Sequence, residues 1–250
     1  MSQDTPETVV FVSNAGDPSV SVLAMDRATG DVDLIEKTPI RGAQQPSPTS
    51  MPLALSPDRR FLYAALRSEP FTAASFEIDP ENGRLRDLGN APLEASMAYI
   101  TTDRTGRWLI GASYPAGKVT VNAIDAQGFV TSPPKQVLAD RPKAHSVVVD
   151  PSNQYVYSGV VAQDIILQLK FDAATGRLSP NTPDSIGTKP GAGPRHLAMH
   201  PSGRFLFLIT ETTATIGVYA VGKASGGTVN LSRFPLAVVA CLVPPKLQWR

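Results

Sequence analysis

The sequence predicts an all-β protein, specifically a β-propeller, and three observations support this prediction. A segment that pairs two strands recurs every 47 to 50 residues, a turn motif recurs in step with it, and long helical patterns are absent. Two hairpins in each period give about four strands per unit, which is the layout of a propeller blade. The chain contains landmarks for about four to five blades.

The first landmark joins an apolar strand, a turn rich in Pro, Asp, Ser, Asn or Gly, and an aromatic residue that opens a second strand. Its copies occupy residues 53–63, 100–110, 147–157 and 197–207. The aromatic residues are Phe61, Trp108, Tyr155 and Phe205, with Phe11 one period earlier. The strand before each turn is expected to be the innermost strand of its blade, so polar residues near its start would face the central channel.

The second landmark is a hairpin turn in which an apolar residue and Asp are followed by a closing Gly. It occupies residues 25–30, 78–83 and 171–176, with a shorter copy at 124–128. Glycine supplies the positive φ that such a turn needs. The pair Gly226-Gly227 lies outside this pattern, and we do not assign it to the landmark.

Composition narrows the function classes. The 23 Lys and Arg residues nearly balance the 22 Asp and Glu residues, and no basic stretch indicates a nucleic-acid partner. The most apolar segment, residues 236–243, is far shorter than a membrane-spanning helix, which needs about 20 residues. Cys241 is the only cysteine, and the first residues lack a secretory pattern. We therefore expect a cytoplasmic protein that has no membrane partner.

The repeated Ser-Pro-Asp-x-Arg-Phe-Leu-Tyr and Phe-Asp-x-x-Thr-Gly-x-Leu patterns, with the segment Gly191-Ala-Gly-Pro-Arg-His-Leu-Ala-Met-His-Pro201, resemble the seven-bladed lactonase family. This family contains 6-phosphogluconolactonases and carboxymuconate-lactonising enzymes. The first two patterns are common blade features, whereas the last is more specific to the family. The resemblance covers roughly residues 8 to 220 and implies hydrolysis of 6-phosphogluconolactone in the pentose phosphate pathway.

The chain departs from that family towards its C-terminus. Seven blades of about 47 residues need about 330 residues, whereas this chain has 250. Neither landmark recurs after Tyr219, so we divide the chain into a partial propeller at 1–220 and an aberrant tail at 221–250. A truncated gene with a shifted reading frame is favoured over an unusual closing strand. An open arc of blades would expose its ends, which predicts low stability or self-association.

Titratable side chains replace apolar ones near the start of two innermost strands. His145 stands in one repeat, and Arg195 with His196 stands at the matching place in the next. The earlier repeats hold Met51 and Ala98 there. An Arg presents a charged fork suited to carboxylate or phosphate, and a neutral His can act as a general base near pH 7.

Three more candidates follow the second strand of their repeats, namely Arg67, Tyr114 and Glu211. The resemblance implies that His145, Arg195 and Glu211 form the active-site set, and we expect His196, Tyr114 and Arg67 to contact substrate. His200, in contrast, occupies a turn position and is expected to be structural. Three histidines and one cysteine argue against a zinc site, so we expect no metal and no cofactor.

Three functions remain open at this stage. The first is hydrolysis of an anionic sugar lactone, with Arg195 holding an anionic group while His145 and Glu211 activate water. The second is a muconate-type cycloisomerase that closes a lactone with the same residue types. The third is a propeller that lacks activity because its ring is incomplete.

Overall fold

The computed structural model describes residues 8–43, 49–222 and 226–235, which form five antiparallel sheets. The first sheet contains β1 (Val9–Asn14), β2 (Ser19–Met25) and β3 (Val32–Pro39). The second contains β4 (Leu53–Leu55), β5 (Phe61–Ala65), β6 (Thr72–Ile78) and β7 (Leu85–Pro92). The third contains β8 (Tyr99–Thr102), β9 (Trp108–Ser113), β10 (Lys118–Ala123) and β11 (Gln136–Leu138).

The last two sheets follow the same order. The fourth contains β12 (Ala144–Val149), β13 (Tyr155–Val160), β14 (Ile165–Asp172) and β15 (Arg177–Gly187), with a short 3-10 helix at Val161–Gln163 after β13. The fifth contains β16 (Pro194–Met199), β17 (Phe205–Thr210), β18 (Thr215–Val221) and β19 (Thr228–Pro235). The prediction of an all-β propeller with about four to five blades is confirmed. No helix in these described ranges is long and apolar enough to cross a membrane.

The first strand of each four-stranded sheet is the innermost one. Strands β4, β8, β12 and β16 contact one another in that order, while each sheet extends outwards by sequential antiparallel pairing. The core lies between the sheets, where for example Trp108 of the third sheet packs in one cluster with Val147 and Leu169 of the fourth. Within the described residues the first sheet has three strands, and β1 carries Phe11 at the position of the second strand.

A polar side chain holds each turn between an innermost strand and its neighbour. Asp103 is fully buried and accepts hydrogen bonds from the backbone N–H groups of Arg107 and Trp108, at 2.9 and 3.0 Å. Asp150 bonds Gln154 and Tyr155 in the same way. These bonds fix the position of the aromatic residue that opens the next strand, which explains why the turn and the aromatic recur together.

The two landmarks of the sequence meet across the interfaces between successive blades. A Cβ atom at Gly128 would lie 2.3 Å from the ring of Phe61, and one at Gly176 would lie 2.5 Å from the Trp108 ring. The indole N–H of Trp108 also donates to the carbonyl of Ala173, at 2.9 Å. The aromatic of one blade therefore rests on the glycine turn of the next, and only glycine leaves room for the ring.

The assignment of Gly226 from sequence was wrong. A Cβ atom at Gly226 would lie 2.2 Å from the ring of Tyr155, which is the same relationship as in the earlier blades. The turn is closed by a bond from the N–H of Gly226 to the carbonyl of Gly222, as Gly30 bonds Asp26. Gly222 replaces the Asp of the motif, so the pattern was not visible in the sequence although the closing hydrogen bond is the same.

The proposed division at residue 220 falls within the fifth sheet. Strand β19 extends that sheet to Pro235 by pairing with β18 along its length. Residues 236–250, including Cys241, lie outside the described residues.

Candidate functional site

The site is a cleft of about 780 Å³ at the inner ends of four successive blades. It is bounded by residues at the start of the innermost strands and by residues that follow the second strands. All six residues predicted from sequence line it, together with six that were not predicted. The lining residues are Thr49, Ser50, Pro52, Leu53, Arg67, Ala98, Tyr99, Tyr114, His145, Arg195, His196 and Glu211.

Two equivalent β-bulges place His145 and Arg195 in this cleft. Between β12 and β13, Ala144 pairs with Val160 and Ser146 with Gly159, so His145 is the extra residue. Between β16 and β17 the pairing skips Arg195 in the same manner. A bulge leaves one residue unpaired and bends the strand, which changes the direction of its side chain. The same backbone irregularity thus directs both functional groups in consecutive blades.

The two bulged strands are held close together. The hydroxyl of Ser146 donates to the carbonyl of Arg195 at 2.6 Å and accepts from the N–H of Leu197 at 3.1 Å. A Cβ atom at Gly159 would lie only 2.8 Å from the carbonyl oxygen of Pro194. Glycine at this position therefore permits the approach of β16 that brings Arg195 towards His145.

His145 is a buried, neutral base. Its side chain is 8% exposed, and its ring lies 4.8 Å from that of His196 and 5.6 Å from that of Tyr114, measured between centroids. Burial, followed by the positive charge of Arg195, lowers the pKa of His145 to about 4. The Nδ1 atom has no hydrogen-bond partner among the described residues. An unprotonated imidazole in this setting can accept a proton from a water molecule or a substrate hydroxyl.

Glu211 connects two other residues of the site. One of its oxygens lies 3.3 Å from Nε of Arg195, and the other accepts a hydrogen bond of 3.3 Å from the hydroxyl of Tyr114. The Arg195 charge is therefore balanced by a carboxylate before any ligand binds. Because both partners are partly exposed, the pair contributes little to stability, and its value lies in positioning.

The Gly-Ala-Gly segment that precedes Arg195 has a structural role. The carboxylate of Asp164 accepts hydrogen bonds from the backbone N–H groups of Gly191 and Gly193, at 2.7 and 2.9 Å. These bonds lower the pKa of Asp164 because they favour its charged form. Both glycines have positive φ, of 75° and 65°. Asp164 thus fixes the loop that leads into the bulge at Arg195.

Arg67 lies in the second blade, at the other side of the cleft. Its Nε donates to the hydroxyl of Ser96 at 3.2 Å, and its Nη1 donates to that of Ser50 at 2.9 Å. Burial lowers the pKa of the Arg67 guanidinium. Its positive charge also contributes to the lowered pKa of His145, so the two groups are within electrostatic reach of each other.

The prediction from sequence did not include Tyr99, Ser50 and Thr49. The Tyr99 ring meets the His196 ring edge to face, with 5.8 Å between centroids. Tyr99 occupies the same repeat position as His196, so an alignment of the repeats contained the signal. Thr49 and Ser50 precede β4 in a segment without a landmark, and their sequence offers no comparable signal.

His200 is placed as expected, in a turn at the far end of β16. Its Nδ1 lies 2.8 Å from the hydroxyl of Ser202 and accepts the N–H of the same residue at 3.1 Å. It is not among the residues that line the cleft. In the described part of the chain, no three His, Cys, Asp or Glu side chains are grouped closely enough to bind a metal ion together.

Comparisons with known proteins place the chain among lactonases. A curated 6-phosphogluconolactonase from Pectobacterium carotovorum is 34% identical over 220 residues, which are 88% of this chain and 63% of that protein. A 6-phosphogluconolactonase from Yersinia pestis is 34% identical over 214 residues, or 86% of this chain and 61% of the relative. The chain thus spans less than two thirds of the length of these relatives.

Solved structures agree with this fold. The periplasmic gluconolactonase of Pseudomonas aeruginosa superimposes with a TM-score of 0.77 at 27% identity, covering 92% of this chain and 68% of that one. A Bacteroides fragilis structure gives a TM-score of 0.80 at 22% identity over 96% of this chain and 70% of the other, which supports the fold alone. The family model for the seven-bladed β-propeller lactonases matches residues 44–237. The chain therefore belongs to the seven-bladed β-propeller lactonase family.

Proposed function

We propose that this protein hydrolyses a sugar lactone, with 6-phosphogluconolactone as its substrate and 6-phosphogluconate as its product. One observation carries the proposal: a buried neutral imidazole, His145, lies in a cleft beside the Arg195–Glu211 pair. Lactone opening needs a base for water and a positive group for the oxygen that gains charge. The relatives named 6-phosphogluconolactonase support the choice of substrate.

The residues of the cleft account for each proton transfer and each bond change in this reaction. His145 accepts a proton from water as the water oxygen forms a bond to the lactone carbonyl carbon. The carbonyl oxygen gains negative charge, which the guanidinium of Arg195 stabilises. The bond from that carbon to the ring oxygen then breaks, and the imidazolium returns the proton to the departing oxygen. Glu211 and Tyr114 are positioning residues, since they act on the reaction through Arg195.

The base is suited to this role at neutral pH. With a pKa of about 4, nearly all His145 is unprotonated at pH 7 and able to accept a proton. A lower pKa also makes the imidazole a weaker base, so the proton it receives is released readily to the departing oxygen. His196 also has a lowered pKa, through burial and the charge of Arg195, and does not add a competing positive charge.

The test is turnover by the purified protein, followed as acid release for the lactones, with correction for spontaneous ring opening, and as proton uptake for the muconate. The panel contains 6-phosphoglucono-δ-lactone, glucono-δ-lactone and a carboxymuconate. Turnover of the phosphorylated lactone is expected. Turnover of the muconate alone would instead establish the cycloisomerase. Absence of all turnover, with retained ligand binding, would identify a propeller that binds ligand without activity.

We further propose that the protein works in the cytoplasm, in the pentose phosphate pathway. The proposed substrate carries a phosphate, whose fixed negative charge opposes passage across a membrane. Cell fractionation with an antibody to the chain tests this location, and recovery from the periplasm would contradict it.

A further inference from the structure

The two arginines of the cleft differ in the charge that surrounds them. Arg195 is balanced by Glu211, which lies 3.3 Å from its Nε. Among the described side chains, no carboxylate lies within ion-pair distance of Arg67, which bonds only the neutral hydroxyls of Ser50 and Ser96. The neighbouring segment 44–48 contains no acidic residue in its sequence. Arg67 is therefore the arginine whose charge is available to a ligand.

The surroundings of Arg67 suit a phosphate in particular. Thr49 and Ser50 line the cleft, and the Ser50 hydroxyl lies 2.9 Å from Nη1 of Arg67, so the guanidinium lies in a polar, uncharged part of the lining. A phosphate offers several acceptor oxygens and carries close to two negative charges at pH 7, and guanidinium and hydroxyl donors satisfy these oxygens well. The partial burial of Arg67 strengthens such an interaction because less water screens it.

The position of Arg67 also separates it from the reacting groups. It belongs to the second blade, whereas His145 and Arg195 belong to the fourth and fifth, and the cleft of about 780 Å³ lies between them. A sugar lactone with a phosphate on its last carbon has the same division, with a neutral carbonyl at one end and a dianion at the other. Arg67 and the pair of His145 and Arg195 line the same cleft from different blades, so one ligand can contact all of them.

We propose that Arg67, with Thr49 and Ser50, forms a phosphate subsite that selects phosphorylated over unphosphorylated sugar ligands. The inference rests on the proposed function for the identity of the sugar, and it changes one expectation from the sequence: Arg67, and not Arg195, holds the anionic group. Arg195 then stabilises the negative charge that develops on the carbonyl oxygen of the lactone.

The closing experiment measures binding, which does not require turnover. The wild-type protein, R67Q and R27Q are titrated calorimetrically with 6-phosphogluconate and with gluconate. Arg27 is an exposed arginine in a turn of the first sheet and lines a different cavity, so R27Q makes the same charge change away from the cleft. Wild type and R27Q should bind 6-phosphogluconate roughly tenfold to a hundredfold more tightly than gluconate, as expected for loss or gain of charge-assisted hydrogen bonds.

In R67Q the affinity for 6-phosphogluconate should exceed that for gluconate by no more than about threefold. The affinity for gluconate itself should be unchanged. An unchanged preference in R67Q, or none in the wild type, would overturn the subsite. Failure of the lactonase assay alone would refute the proposed function and leave this binding result standing.

A second measurement needs no variant. It tests the phosphate subsite even if R67Q does not fold. Inorganic phosphate should compete with 6-phosphogluconate and leave the affinity of the wild type for gluconate unchanged, because phosphate and gluconate then occupy different parts of the cleft. Displacement of both sugar acids by phosphate would place the anion at Arg195 and contradict the proposal.

Discussion

The two ends of the second strand in each blade differ in how much their residues vary from one blade to the next. At the turn end, an aromatic residue recurs and packs on a glycine of the next blade, as Phe61 does on Gly128. At the cleft end, six residues after each aromatic, the side chain changes from blade to blade. The residues there are Arg67, Tyr114, Val161 and Glu211.

This difference separates stability from chemistry within one repeat. Three successive interfaces between blades use the same contact, whereas Gly83 at the first interface meets Val9 in place of an aromatic ring, so the turn end largely repeats. The cleft has no repeated contact to conserve, and three of these positions line it with different groups, namely Arg67, Tyr114 and Glu211. Irregularity within a repeat is therefore the feature that marks the site in this molecule.

The largest effect is expected at the turn end, for Gly128→Ala. The new methyl would collide with the Phe61 ring and force a residue with a side chain into a φ of +82°. Overpacking and backbone strain together should lower the free energy of unfolding by about 2–5 kcal/mol. The matched control is Gly30→Ala, which has a φ of +79° and nothing within 4 Å, and should lose only about 1 kcal/mol. Urea unfolding measures both, and equal losses would show that the contact with Phe61 contributes nothing.

At the cleft end, His145→Ala should lower kcat/KM for the proposed lactone substrate by about 10²-fold or more, since it removes the proposed general base. The control at the turn end is His200→Ala, which deletes a histidine that contacts Ser202 and does not line the cleft. Its turnover should stay within about twofold of the wild type. Loss of activity in both variants, or in neither, would contradict the division between the two ends.

A smaller effect is expected for Gly159→Ala, which acts on the approach of two blades. The methyl would meet the carbonyl oxygens of Pro194 and Arg195, at 2.8 and 3.0 Å, and displace Arg195 from His145. Because small displacements of reacting groups reduce rates strongly, kcat/KM should fall roughly tenfold. Gly187→Ala, with nothing within 4 Å, is the control and should leave turnover unchanged. Steady-state kinetics of both variants test this, and an unaffected Gly159 variant would show that the spacing of these strands is not critical.

The smallest effect concerns pH. Only the unprotonated imidazole accepts a proton, and it predominates above the His145 pKa of about 4. Lowering the pH from 7 to 5.5 should therefore change kcat/KM by less than about twofold, with a fall only as the pH drops through 4. An ordinary histidine would lose activity around 6.5. A pH profile of kcat/KM, corrected for spontaneous opening, distinguishes the two, and an acid limb near 6.5 would contradict a buried base.

Much of the fold was predictable because three blade interfaces use the same pair of residue types, an aromatic and a glycine. The aromatic and glycine landmarks located the blades, although the sequence did not show that the two series contact each other. That contact joins residues of different blades, so it depends on how the blades stack. Gly226 was missed because Gly222 replaces the usual Asp while the backbone bonds stay the same.

The candidate site was predictable in its residues and not in its electrostatics. Repeat positions indicated His145 and Arg195, and the resemblance to the lactonase family grouped them with Glu211. The bulges at His145 and Arg195 depend on strand register, which a single sequence does not define. The pairing of Arg195 with Glu211, and the absence of such a partner for Arg67 among the described side chains, depends on side-chain geometry across several blades.

The contact between aromatic and glycine also orders events during synthesis. Each ring packs on a glycine that is synthesised about 70 residues later. The pairs are Phe61 with Gly128, Trp108 with Gly176, and Tyr155 with Gly226. A ribosome adding roughly 5–20 residues per second supplies the intervening residues within about 3 to 14 seconds. During that interval the newest blade has an exposed aromatic, and chaperones that bind apolar segments have a defined period in which to act on the growing chain.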